Sequence, residues 1–219
     1  MRAEGPVTAP GWSAEARAAC DALYREIFAL PFVRGVADGT LPADVFARYL
    51  AQDALYLAAY SRAMQTIADR LPAGPDRTLF ARFASDGVAT ERAMQERWKT
   101  ESGALPAPAV PTAACRRSMD HVLHTSAEAP LPLALAAVLP CFAVYAEVGA
   151  RLAAESTARG AAHPYRQWID EYAAPAFAAD AQAASAVCDA AAQRAPELRE
   201  AMSEAYRTGV VAERDFWSL

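Results

Sequence analysis

The chain has 219 residues, 54% of them hydrophobic and 21% charged, which is enough apolar material for one sizeable core and excludes a largely disordered chain. Its 26 acidic residues outnumber 21 basic ones, for a formal charge of -5, and there is no basic block of the kind a non-specific nucleic-acid binder needs. Lys99 is the only lysine, so nearly every cation is an arginine; with abundant Ala, this fits a GC-rich bacterial genome.

The pattern is helical throughout. Residues 1–12 read as a loose arm, and 13–219 as one domain. Ser13 is a candidate N-cap for a helix running to about Ala29 and closed by Pro31. FVRGVADGTLP (32–42) carries Gly35, Gly39 and Pro42 and reads as a turn-rich connection. Pro42 suits the first turn of a long helix that ends before Pro72, and a further helix fits 76–100. ALPAPAVP (104–111) is a Pro-rich linker too short to separate domains. A helix follows from about Thr112 to His124, then an apolar one over 131–156 in which Pro140 removes a backbone donor and predicts a kink. HPYRQWIDEYAAPAF starts another, interrupted at Pro175, and two more fit 176–193 and 196–217. With no alternating β-branched run and no repeat, the fold class is an all-α single-domain helical bundle.

Several chemistries lack their residues. Cys20, Cys115, Cys141 and Cys188 lie far apart with no metal or redox spacing. His121 and His124 could share a metal, but surface or capping roles fit them better, and no Glu-x-x-His pair exists for a di-iron site. No phosphate-binding loop or nucleophile elbow is present. The first residues have no apolar signal-peptide core. Leu131 to Leu152, the best candidate for a membrane span, is interrupted by Pro140, Glu147 and Arg151. A cytoplasmic protein with reduced thiols and no membrane or nucleic-acid partner is the expectation.

What remains is a set of polar groups on apolar faces. Tyr49, Asp53, Tyr56 and Tyr60 fall at i, i+4, i+7 and i+11 and share one helical stripe. An Asp in such a stripe is either paired to one of twenty arginines or placed to meet a ligand donor. Cys141 and Tyr145 lie one turn apart directly after Pro140, where the kink leaves an irregular turn suited to a pocket; packing alone is the plainer role for the Cys. Glu213 neighbours Val210, Phe216 and Trp217, so it either meets the core, where a carboxyl gains a raised pKa, or sits solvated near the C-terminus, the position that helix phase alone favours. Tyr172, by itself, reads as core.

Five segments taken in order resemble the TenA family, also called thiaminase II or aminopyrimidine aminohydrolase: PFVRGVADGTLP (31–42), YLAQDALYL (49–57), LPCFAVYAEVGARL (139–152), HPYRQWIDEYA (163–173) and ERDFW (213–217). The resemblance implies a haem-oxygenase-like bundle without haem or another cofactor, assembled as a homotetramer. It implies hydrolysis of aminopyrimidines in thiamin salvage: conversion of aminomethylpyrimidine to hydroxymethylpyrimidine, with thiamin cleavage as a further reaction. Cys141 matches the nucleophile of the cysteine branch. Asp53 matches the ligand of the pyrimidine amino group and Glu213 the group that holds a ring nitrogen and moves protons. Tyr56, Tyr145 and Tyr172 match pocket walls. Arg116 stands where the family often has a pocket tyrosine and Gln95 where it often has His, so Arg116 is a candidate for substrate contact. The alternatives are a pyrimidine-binding protein without turnover and a transcriptional regulator, a role to which the negative charge is unsuited.

Overall fold

Proline and cap residues set most helix boundaries in the computed structural model, which describes residues 10–102, 110–156 and 163–218. Ten α-helices lie among them: α1 (Trp12–Ala19), α2 (Asp21–Ala29), α3 (Pro31–Asp38), α4 (Ala43–Arg70), α5 (Pro75–Ser102), α6 (Ala113–Glu128), α7 (Leu131–Ser156), α8 (Arg166–Tyr172), α9 (Pro175–Arg194) and α10 (Arg199–Phe216), with a 3₁₀ turn at Pro196–Leu198. No strand occurs among the described residues. The all-α class expected from the periodicity is the observed one.

Local readings of the N-terminal third need correction. The helix expected over 13–29 is two helices, broken at Cys20 (φ -96°, ψ 10°). Ser13 does not cap α1. Gly11 holds the cap position, and the Ser13 backbone N–H donates to Asp189 Oδ1 of α9 at 2.7 Å, so a carboxylate from a distant helix meets the positive helix start. Trp12, assigned to the arm, is buried and donates its indole N–H to Ser203 at 3.0 Å. The rest of the expected arm, 1–9, lies outside the described residues, as do 104–109 of the Pro-rich linker. The segment read as a turn-rich connection is mostly helix α3. Pro31 opens it, Gly39 (φ 65°) closes it, and Phe32, Val33, Val36 and Ala37 are buried along one face. Gly35 lies inside this helix, against Leu41, instead of punctuating the chain.

α4 and α7 are the long elements around which the bundle is built. α4 packs on α5, α6 and α7, while α7 packs on α10, α9, α6 and α8. α7 is long and apolar enough by composition to cross a membrane, its most apolar stretch within Leu131–Glu155 having a mean hydropathy of 1.9, despite the charges and proline that argued otherwise; 61% of that stretch is buried inside the bundle, as befits a core helix. The helix runs on through Pro140. Two glycines set how closely its neighbours approach. A Cβ on Gly149 would overlap the Tyr172 backbone, and one on Gly209 would lie 2.6 Å from Pro140 Cγ. Through these contacts α8 and α10 sit tight against the same turns of α7 that carry Tyr145 and Cys141.

Candidate active site

The stripe on α4 turns inward as its spacing predicts: Tyr49, Asp53, Tyr56 and Tyr60 are all buried, Asp53 with only 1% of its surface exposed. Two turns of α7 face it with Cys141 and Tyr145, α8 closes one side with Tyr172, and α10 brings Glu213 up behind Tyr56. Between these elements lies a cavity with about 720 Å³ of empty space, open solvent at its mouth included, within the range of small-molecule sites. Asp53, Tyr60, Cys141, Tyr145 and Tyr172 line its inner part; Phe83, Phe142 and Phe177 complete an aromatic wall, and Asp86, Glu171 and Asp180 lie towards its rim. Arg82 of α5 binds both Asp86 (3.0 Å) and Asp180 of α9 (2.5 Å), tying the two helices together beside the opening.

Electrostatics separate the polar groups into roles. Glu213 is 6% exposed. Burial lifts its pKa to about 8, against a smaller opposing effect of the Tyr56 hydroxyl, which donates to Oε1 at a long 3.5 Å. No ion pair to Glu213 occurs among the described residues, so the carboxyl is largely protonated at neutral pH. Burial also pushes the Cys141 thiol well above its ordinary value, with the Glu213 and Asp53 carboxylates adding to the effect; the neighbouring Tyr56 and Tyr60 hydroxyls pull the other way. Cys141 is half-buried at the cavity wall, whereas Cys20, Cys115 and Cys188 are buried. Tyr56, Tyr60 and Tyr145 have pKa values raised well above 10, chiefly by burial, so they act as neutral hydroxyl donors. The Tyr60 hydroxyl donates to the Val138 carbonyl at 2.8 Å, on the turn just before Cys141.

Of the seven residues to which the resemblance gives a site role, six thus converge: Asp53, Tyr56, Cys141, Tyr145, Tyr172 and Glu213. Arg116 does not. It is exposed on α6 and absent from the cavity wall, because Cys115, Ser118 and Val122 take that helix's buried face and a residue one position on points about 100° away. The side chain of Gln95 lies outside the described residues. The aromatic wall and the acidic rim were missed from sequence; α5 and α9 supply them across long sequence separations, and no local pattern marks them. Among the described residues no group of three His, Cys, Asp or Glu side chains could hold a metal. His121 Nε2 is 3.2 Å from the Ala205 carbonyl and links α6 to α10.

Comparison with known proteins adds the family. The profile of the TENA/THI-4/PQQC family matches residues 17–219. The chain is 32% identical to the thiamine biosynthesis multifunctional protein ThiED of Corynebacterium efficiens over 97% of its own length, but it spans only 28% of that larger protein. It is 28% identical to the aminopyrimidine aminohydrolase of Bacillus subtilis over 95% of this chain and 89% of the relative. Among solved structures, a TenA family transcription regulator from Silicibacter sp. superposes with a TM-score of 0.85 at 26% identity, covering 94% of both chains. A profile match across nearly the whole length, on a fold shared with TenA homologues, means that the chain belongs to the TENA/THI-4/PQQC family.

Proposed function

We propose that this protein is an aminopyrimidine aminohydrolase of thiamin salvage. It would take a 4-aminopyrimidine carrying an aminomethyl group on the adjacent ring carbon and return the hydroxymethyl compound and ammonium. The observation that carries the reading is a thiol, Cys141, on the wall of an aromatic cavity, with a buried carboxyl of pKa about 8, Glu213, behind it across Tyr56. The name of the Bacillus subtilis relative supports the substrate class.

Each residue has a task in this chemistry. Asp53 accepts hydrogen bonds from the exocyclic amine, for which a carboxylate is the natural partner. Tyr172 and the phenylalanines hold the flat ring and exclude water. Cys141 sulfur adds to the ring carbon beside a ring nitrogen, and the protonated Glu213 gives that nitrogen its proton. The thiol proton returns to Glu213 through the Tyr56 hydroxyl, which neighbours both groups. The dearomatised ring then expels the protonated amine from the methylene as ammonia. Water adds to the exposed methylene and its proton goes to the released ammonia; Glu213 returns its proton through the Tyr56 hydroxyl to the departing thiolate and takes the ring proton back. The balance is one water consumed and one ammonium released per aminomethyl cation. With a thiazolium in place of the amine, the same steps cleave thiamin.

The test is ammonia release together with appearance of the hydroxymethylpyrimidine when the purified protein meets the aminomethylpyrimidine. Turnover by the wild type and its loss in Cys141→Ser support the reading. Tight binding of the pyrimidine without any turnover would replace it with that of a binding protein.

A further inference from the structure

Tyr145 is held from behind by two side chains outside the cavity lining. Trp217 donates its indole N–H to the Tyr145 hydroxyl at 3.1 Å, and the Tyr49 hydroxyl lies 3.1 Å from the same oxygen; all three residues are buried. The Trp217 bond is not a default of buried indoles. Trp168 packs on the same Tyr145 ring, at 6.2 Å between centroids, and its indole nitrogen has no hydrogen-bond partner among the described residues. Trp217 also stands one helical turn beyond Glu213, to whose carbonyl its backbone N–H bonds at 3.1 Å. One turn of α10 therefore reaches α4 through Glu213 and Tyr56, and α7 through Trp217 and Tyr145.

A phenol has one proton and two acceptor sites. An indole N–H is only a donor, so Trp217 permanently fills one acceptor site of Tyr145. Either hydroxyl of the Tyr49–Tyr145 pair can be the donor; with Tyr49 donating, the second acceptor site is filled too, the single Tyr145 proton points elsewhere, and the two donors polarise the O–H bond and strengthen it as a donor. We propose that Trp217 and Tyr49 are positioning residues that orient the Tyr145 hydroxyl as a hydrogen-bond donor to an acceptor atom of the ligand in the cavity. This deepens the aminohydrolase reading and rests on it for the identity of the ligand. It narrows the ligand to one that presents a nitrogen or oxygen lone pair opposite Tyr145.

The experiment is a double-mutant cycle of Trp217→Phe with Tyr145→Phe, with Tyr49→Phe with Tyr145→Phe as a second cycle should the Trp217 variant fold poorly. Each variant is assayed for kcat and KM on the aminomethylpyrimidine and for calorimetric affinity for the hydroxymethylpyrimidine, with melting temperature as the folding control. Trp217→Phe is expected to lower kcat/KM or affinity about fivefold, the scale of one hydrogen bond, and to cause no further loss once Tyr145 is already Phe. An equal loss in both backgrounds, or no loss in either, overturns the proposal, since a purely structural role acts regardless of the Tyr145 hydroxyl. If the wild type binds the pyrimidine without turnover, the aminohydrolase reading fails and the binding cycle still decides this one. If it neither binds nor turns over pyrimidines, both fail.

Discussion

Helix α7 serves two polar clusters, one partly exposed and one buried, that solve opposite problems. On one face, Glu147 meets Arg17 of α1 through two parallel hydrogen bonds of 2.5 and 2.7 Å. The guanidinium carbon of Arg17 lies 3.6 Å from the centre of the Tyr24 ring, and Tyr24 shares a 2.7 Å hydrogen bond with Tyr206. Here a carboxylate has its cation, and the hydrogen bond to Glu147 holds Arg17 charged more firmly than usual despite partial burial. On the other face, Cys141 looks towards Glu213, which has only a long bond from a tyrosine and a pKa near 8. The first arrangement is a satisfied pair that ties α1 to α7. The second keeps a buried acid neutral and so able to give up a proton, an arrangement with no structural return. Two carboxyls of one bundle thus differ because one is given a partner and the other is given only a low-polarity wall.

The largest way to break this contrast is at the thiol. Cys141→Ser is expected to abolish hydrolysis, a loss of roughly a thousandfold or more since a hydroxyl is hardly nucleophilic at neutral pH, while the melting temperature stays within a degree or two (roughly 0.5 kcal/mol). Near-normal turnover in steady-state assay would remove Cys141 from the chemistry. Next is Glu213→Gln, expected to lower kcat at least about a hundredfold without lowering stability. Its pH behaviour follows from the raised pKa. A folded-state pKa of about 8 against an ordinary 4.5 means that the protonated carboxyl stabilises the fold fully below pH 4.5, and that this contribution is lost as pH rises through 8. Denaturant titrations should therefore show wild-type stability falling across that window by a few kcal/mol at most, and the Gln variant should lack that fall. Wild-type kcat should likewise decline above about pH 8 as the acid ionises.

A smaller effect is expected at the helix contact that sets the site's spacing. Gly209→Ala would drive a Cβ to within 2.6 Å of Pro140 Cγ. The separation of α10 from α7 should cost about 1–3 kcal/mol and lower kcat about tenfold as Glu213 and Cys141 move apart. The satisfied cluster supplies the control. Arg17→Met should cost roughly 1–2 kcal/mol, limited by solvent screening of a partly exposed pair, and leave kcat unchanged. A fall in kcat with unchanged stability would mean that the two faces of α7 are not independent.

Helix phase made much of the site legible in the sequence. The i, i+4, i+7, i+11 spacing of Tyr49, Asp53, Tyr56 and Tyr60 can have only one burial pattern on a straight helix, whereas helix phase alone favours a solvated Glu213 and the structure buries it. Phase could not show which alternative each group takes, because that depends on what faces it from another helix. Residues that read as punctuation were the weaker guides. Gly35 is inside α3 because Leu41 packs against it, Ser13 is relieved of capping by Asp189, and the break at Cys20 has no proline or glycine to announce it. Arg116 was drawn to the site by alignment with the family, yet its helix face points it to solvent. The cavity's aromatic wall depends on α5 and α9 folding back beside α7, a tertiary arrangement that no window of sequence contains.

The most direct measurement is the ionisation of Glu213 itself, read by infrared difference spectroscopy between the wild type and Glu213→Gln across a pH titration. A protonated carboxyl band present at neutral pH and lost near pH 8 is the expected result. A carboxylate already ionised at pH 6, titrating near the ordinary value of about 4.5, would mean that this group is solvated or paired and that the proton-donating role assigned to it is wrong.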